Sequence, residues 1–409
     1  MTLIKDNKTI VAAGWFFCSL FFFYAFILRV SPAVMVEDLM REFSVGAAIL
    51  GNLSAVYLYA YAGLQIPVGI CIDRFGLRGL VAGACALCGV GCIIFSTAET
   101  ISSAYVGRFF IGAGAAFSFV GALNMAARWF PNKFAVLGGW AQMMGSAGGF
   151  MGQAPLGIAV AVFGWRSSNV ILGIAGLCLA VLLVFTVRDP IVSKTENRTP
   201  IWNSLKTVAS NKQTWLASIS AGGLTGTLLA FGGLWGVPYL MVARDIVKEE
   251  AAGFISVAFI GWAIGAPLLG WLSDRLGRRR GIVIIGTACA ALSTTALLIW
   301  PNMSTLPLVI TLAIQGAFSS SMIVCFALTR ENNPAELSGA ALGLINTFAV
   351  GAGAVLQPLA GLILDLRWGG VVFDGLRVYD LNDYQIALSI LPAACVFSLI
   401  AAMYLKEKR

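Results

Sequence analysis

The chain has 409 residues; 59% are hydrophobic, 11% are charged, and the mean hydropathy is +0.86. A soluble domain carries roughly 25% charged residues, and no core of this length hides so much apolar surface, so much of it must face lipid. The net charge of +8 comes from basic residues in short loops between apolar runs, which speaks for membrane topology and against a nucleic-acid partner.

Lys5 and Lys8 ahead of an apolar stretch imitate a secretory signal. The stretch is too long and lacks a small-residue cleavage site, so it reads as a first membrane span. Runs long enough to cross a hydrocarbon layer of about 30 Å recur at 10–34, 47–71, 79–97, 101–127, 134–162, 166–187, 214–242, 251–273, 281–300, 304–328, 338–364 and 384–405. Each of the twelve must be helical, because backbone groups in lipid have to be satisfied within the segment. The expected fold is an all-α membrane protein of two six-helix halves, 1–187 and 214–409, joined by a polar cytoplasmic linker at 188–213. With the N-terminus inside, nineteen of the 27 Lys and Arg residues fall on inside segments and six on outside ones, which places both termini in the cytoplasm. The remaining two, Arg29 and Arg108, lie within spans.

A charge at mid-membrane costs at least about 2.5 kcal/mol and persists only with a partner or a wet cavity. Arg29 lies deep in the first span. No Asp or Glu falls well inside any span; Glu37, Asp38, Glu331 and Asp365 sit at helix ends. An arginine without a resident carboxylate suits an anionic ligand group, which its fork binds bidentately. The alternative is snorkelling outward or pairing with Glu37 or Asp38. In span two, Tyr57, Tyr61 and Gln65 recur at i, i+4, i+8, as a cavity stripe or an interfacial belt. Span four offers Asn124. In span five, Gln142 and Gln153 share a face, and in span eleven Asn346 and Gln357 do so at a constant offset of 204 residues. An amide facing lipid is unfavourable, so both pairs are expected on a shared cavity. Span seven is rich in glycine and carries Trp235 and Tyr239 at i, i+4, the pattern of a bendable gate. Span ten puts Gln315, Ser319, Met322 and Phe326 on one face. Cys85, Cys88 and Cys92 share a helix face, but in a chain without histidine they read as small apolar packers and not as metal ligands. No phosphate-binding loop and no nucleophile–base–acid set is present, so neither an enzyme nor a cofactor is implied.

Two charged hairpins occupy equivalent places in the halves. Gly69-Ile-Cys-Ile-Asp73-Arg74-Phe-Gly76-Leu-Arg78 follows the second apolar run, and Gly270-Trp-Leu-Ser-Asp274-Arg275-Leu-Gly277-Arg278-Arg279 follows the eighth, 201 residues later. The pair resembles the loop motif of the major facilitator superfamily of transporters, G-x-x-x-D-R-x-G-R-R. The second copy matches fully; the first has Leu77 where a basic residue is preferred. Arg108-Phe-Phe-Ile-Gly112-Ala-Gly114 resembles the superfamily's fourth-span motif, whose arginine is a structural or coupling residue. The resemblance implies alternating access around a central small-molecule site, action as a monomer, and a place in the bacterial cytoplasmic membrane. It also implies that Asp73 latches the end of span eleven and Asp274 that of span five, as anions at helix N-termini.

Shorter words are similar to a branch that holds the phagosomal nutrient transporters of intracellular bacteria and the lysosomal dipeptide carriers. They are Leu28-Arg29-Val-Ser-Pro-Ala-Val-Met35, Gln65-Ile-Pro-Val-Gly69, Ala127-Arg128-Trp129-Phe130-Pro131 and Gly152-Gln-Ala-Pro-Leu-Gly157. That branch implies an amino acid or short peptide as substrate. An organic-anion or nucleoside carrier and a proton-coupled efflux pump are the alternatives. Span five lacks the Gly-Pro pair of drug/proton antiporters. With neither histidine nor a mid-span carboxylate, the chain leans toward facilitated diffusion or exchange.

Overall fold

The computed structural model describes residues 8–130, 133–189, 201–334 and 337–407. Among the described residues, eleven apolar helical stretches are long enough to cross a membrane. One of them, Val136–Thr186, has 51 residues, about 75 Å of helix at 1.5 Å per residue. It turns back at Gly164, whose φ of 77° breaks the helix, and so supplies two crossings. Twelve spans result.

Spans one to four are Lys8–Val30, Ala47–Phe75, Leu77–Ser96 and Ile101–Trp129. Span five opens as Phe134–Met151, breaks at Gly152 and Gln153, and resumes at Ala154; span six runs from the Gly164 turn to Thr186. Span seven is Lys212–Ala230, a π-turn Phe231–Trp235, and Gly236–Arg244. Spans eight and nine are Lys248–Leu276 and Arg279–Ile299. Span ten is split into Thr305–Ser319 and Met322–Asn332, span eleven is Ser338–Arg367, and span twelve is Leu381–Leu388 with Ile390–Met403. The connection expected as a plain linker contains a helix, Ile201–Ser210. Its residues 190–200 lie outside the described ones.

Within the first half, span one packs on four and five, and span three on four and six; within the second, seven packs on eleven and twelve, and eight on ten. Between the halves, span two meets eleven and span five meets eight. Small residues allow these approaches. Gly361 lies against Ala47, where an added Cβ would come within 2.2 Å of the carbonyl oxygen.

Both charged hairpins turn on a glycine with left-handed backbone, Gly76 at φ 87° and Gly277 at φ 60°, which explains that position of the motif. The end of the molecule that carries them is the hairpin side; the opposite end is the far side. After span six, Asp189 accepts from the Leu77 and Arg78 N–H groups at 2.5 and 3.3 Å, and so caps span three.

The far side is closed by contacts between the halves. Asp365, at the end of span eleven, accepts from the Ala47 and Ala48 N–H groups of span two at 3.1 and 2.9 Å. The same carboxylate accepts from the Tyr379 hydroxyl at 2.6 Å and Arg377 Nη1 at 3.1 Å. Burial and the bond to Asp365 push the Tyr379 phenol above its ordinary range, so it remains a donor. Lys248 pairs with Asp38 at 2.8 Å, and Arg41 with Asp374 at 3.3 Å. Hydrogen bonds to charged groups contribute about 1.5–3 kcal/mol each, so the partly buried Asp365 is the strongest tie on this side. Asp365→Ala is expected to lower the Tm by a few degrees. It should also widen the distance between spin labels at Glu99→Cys and Asn302→Cys, two exposed far-side positions on opposite halves, in a background without the native cysteines. An unchanged distance distribution would show that the closure rests elsewhere.

Candidate central substrate site

A cavity lies between the halves, with walls from spans one, two, four and five on one side and seven, eight, ten and eleven on the other. Its polar groups are Arg29, Tyr61, Gln142, Thr225 and Asn346. Its ring-bearing walls are Phe22, Phe26, Phe119, Trp262 and Phe326. Among the described residues, Arg29 is its only formally charged group.

Arg29 is 7% exposed. Its guanidinium lies 4.6 Å from the Phe26 ring centroid, 4.5 Å from that of Tyr61 and 5.6 Å from that of Tyr57. Such ring faces stabilise a desolvated cation by up to about 2 kcal/mol. Nε and Nη2 are buried and find no hydrogen-bond partner among the described residues. Tyr57 and Tyr61 stack at 6.1 Å and 11°, and the Tyr57 hydroxyl donates to Ala25 C=O at 3.0 Å, which fixes the rings behind the cation.

Arg108 is a different kind of charge. It is 1% exposed and does not line the cavity. Nη1 donates to Leu28 C=O at 2.8 Å and Nη2 to Ser54 C=O at 3.4 Å, which joins span four to spans one and two.

The expected stripes divide. Tyr61, Gln142 and Asn346 line the cavity. Gln65 stands beside it and accepts from Asn346 Nδ2 at 2.8 Å, a bond between the halves on the hairpin side. Gln153 and Gln357, expected on the same cavity, instead brace the π-turn of span seven. There the Gly236 N–H donates to Phe231 C=O, one residue further back than in an α-helix. The Gly232 carbonyl loses that donor and accepts from Gln153 Nε2 at 2.6 Å across the halves, while Gln357 Nε2 donates to Leu229 C=O at 2.9 Å.

Trp235 and Tyr239, expected as a gate, are fully buried away from the cavity. Trp235 Nε1 donates to Gln357 C=O at 2.9 Å, and the Tyr239 hydroxyl to Leu297 C=O at 2.6 Å. Each ring thus finds its polar partner within its own half. Gln315 is fully buried inside the second half with neither amide atom partnered among the described residues, and Asn124 is half-buried with a free Oδ1; neither lines the cavity. Cys85 and Cys88 donate to Gly176 C=O and Ile111 C=O, both at 3.3 Å, as packing thiols.

The hairpin residues fall in two groups. The side chains at Gly69, Asp73 and Arg74 lie outside the described residues, and so does the expected latch on span eleven. Asp274 pairs with Arg279 at 2.9 Å, and Arg279 also bonds Glu331 at 2.7 Å, so this hairpin is tied to span ten of its own half; residues 131 and 132, which lead into span five, lie outside the described residues. Arg275 lies over Trp271, Arg278 is exposed beside Gly277, and Arg78 Nε donates to Val184 C=O at 2.7 Å. Gly270 has open space around it. Phe22, Phe26, Phe119, Thr225 and Trp262 are cavity residues that sequence reasoning missed. Phe22, Phe26 and Arg29 share one helix face, the one available signal.

Two six-helix bundles around a mid-membrane cavity define a secondary transporter. The chain belongs to the Major Facilitator Superfamily, whose family model matches residues 16–246 and 230–409. The probable galactarate/D-glucarate transporter GudP of Bacillus subtilis (strain 168) is 24% identical, over 91% of this chain and 92% of its own. The gentisate transporter of Corynebacterium glutamicum is 27% identical, over 88% of this chain and 82% of its own. A solved bacterial homologue of the human lysosomal transporter Spinster, inward-facing and unoccupied, shares the fold with a TM-score of 0.79 and 19% identity, covering 98% of this chain and 97% of that one.

The two buried arginines differ in what their removal does. Arg108→Gln strands two carbonyls, at about 1–3 kcal/mol each, and is expected to lower the Tm. Arg29→Gln removes an unpaired charge whose burial costs at least about 2.5 kcal/mol, and is expected to leave the Tm unchanged or raise it. Thermal unfolding of the two detergent-solubilised variants checks this; a comparable drop in both would make Arg29 a second structural charge.

Proposed function

We propose that the protein moves a small organic anion across the bacterial cytoplasmic membrane by alternating access, with Arg29 as the anchor for the anionic group. The observation that carries this reading is the buried guanidinium that lines the cavity with two nitrogens unpaired and, among the described residues, no neighbouring carboxylate. An anion supplies the missing charge and the missing acceptors together. The names of GudP and of the gentisate transporter, both carriers of organic acids, support it.

An amino acid or short peptide is the second reading. Its carboxylate suits Arg29, but among the described residues no carboxylate lines the cavity to receive its ammonium group, which would meet ring faces and neutral hydroxyl and amide oxygens.

The far-side ties through Asp365 form one gate, and the Gln65–Asn346 bond lies toward the other. Both are made in this structure, and rocking of the halves would open the molecule toward one side by breaking one of them. The basic loops support an orientation with the hairpin side and both termini in the cytoplasm. Of the four helix-end carboxylates, Asp38, Glu331 and Asp365 are engaged in ion pairs, Glu37 is exposed, and none lines the cavity. Exchange or facilitated diffusion therefore fits better than proton symport.

In proteoliposomes, radiolabelled acid should enter faster when unlabelled acid is inside, and an imposed proton gradient should not drive its accumulation. Arg29→Ala should weaken acid binding at least about thirtyfold, equivalent to about 2 kcal/mol, with Arg29→Lys in between. Gradient-driven accumulation would overturn the coupling, and full activity of Arg29→Ala would overturn the anchor.

A further inference from the structure

Resting on that reading, we infer that the substrate bears a single carboxylate on an apolar, ring-sized body, and that diacids and polyhydroxy acids are excluded. The charge count comes first. Two buried cations lie near the site, but Arg108 is committed to the Leu28 and Ser54 carbonyls, and only Arg29 reaches the cavity. One guanidinium with two unpaired nitrogens matches one carboxylate. A second carboxylate would lie against ring walls with no cation to neutralise it, and a charge so placed is strongly disfavoured.

The walls decide the body. Opposite Arg29 stand Trp262, Met322 and Phe326 of the second half, and beside it Phe22 and Phe119 of the first. Of the polar groups, Asn346 Nδ2 is engaged with Gln65, which leaves the Asn346 Oδ1, the Tyr61 hydroxyl, Gln142 and the Thr225 hydroxyl, whose Oγ1 is buried and unpartnered among the described residues. These groups are few beside the ring walls. A sugar acid, hydroxylated along its whole body, would turn hydroxyls toward those rings, and each unmatched hydroxyl counts against binding. An apolar ring fits the same walls by area burial and edge-to-face contact. The cavity therefore resembles the needs of a benzoate-like acid more than those of a glucarate-like diacid, although GudP matches more of this chain than the gentisate transporter does.

The test is a matched series of ligands on the purified full-length protein, read by thermal shift and by competition in proteoliposome exchange. The probes are benzoate and 2,5-dihydroxybenzoate, phthalate, gluconate and glucarate. The expected result is binding of the two benzoates, with phthalate, gluconate and glucarate each at least tenfold weaker. Trp262→Ala should weaken benzoate at least tenfold. Gln142→Lys separates a loss of binding from a loss of folding as a gain-of-function control: a second cation in the cavity should bring phthalate within threefold of benzoate. Arg29-dependent binding of glucarate or gluconate at least as tight as that of benzoate would overturn this inference while leaving the organic-anion reading intact. Binding of none of the acids, with or without a response to lipophilic cations, would overturn both.

Discussion

A guanidinium held in a low-dielectric interior without a counter-charge is the constraint around which this molecule is arranged. Water is absent from most of the span region, so every polar group there needs a partner from the protein. Arg108 meets most of that demand with two carbonyls on neighbouring helices, its Nε alone lacking a partner among the described residues. Arg29 meets it only in part, through ring faces. The difference sets a charge that joins helices apart from one that lines the cavity, which position in the sequence does not, since both are arginines within apolar spans.

The same accounting explains span seven. Its glycines do not make it a loose hinge. They permit a π-turn that leaves carbonyls short of donors, and Gln153 and Gln357 supply the donors from two different spans. Glutamines at equivalent places in the two halves thus converge on one helix, one reaching across the interface and one staying within its own half. The far-side gate follows related logic: the bare N–H groups that begin span two receive the Asp365 carboxylate of span eleven.

Much of the architecture was legible in the chain because lipid permits so few solutions. Apolar length, the repeated charged hairpins and the offset amides lead to twelve helices in two halves. The unpaired state of Arg29 was legible from the absence of mid-span carboxylates. The details that failed depend on rotation about the helix axis. Trp235 and Tyr239 lie a turn apart on a glycine-rich helix, but both rings are buried within the second half beside a π-turn, and no sequence period reports a π-turn. Gln142 and Gln153 share a face by spacing, yet the break at Gly152 and Gln153 separates their roles. The ring walls went unseen because phenylalanine in a membrane span carries no signal that distinguishes cavity from lipid. Trp262 and Phe119 become visible only when two helices from opposite halves are brought together.

Tyr57 lies between the two arginines, its ring 5.6 Å from the Arg29 guanidinium and 5.2 Å from that of Arg108. One electron-rich face system is therefore shared by two like charges, and Arg108 grips the carbonyl of Leu28, the residue next to Arg29 in the chain. Neutralising one cation removes its repulsion from the other across that ring. Under the proposed reading, an anion bound at Arg29 would therefore bear on spans one, two and four together and not only on the pocket it fills.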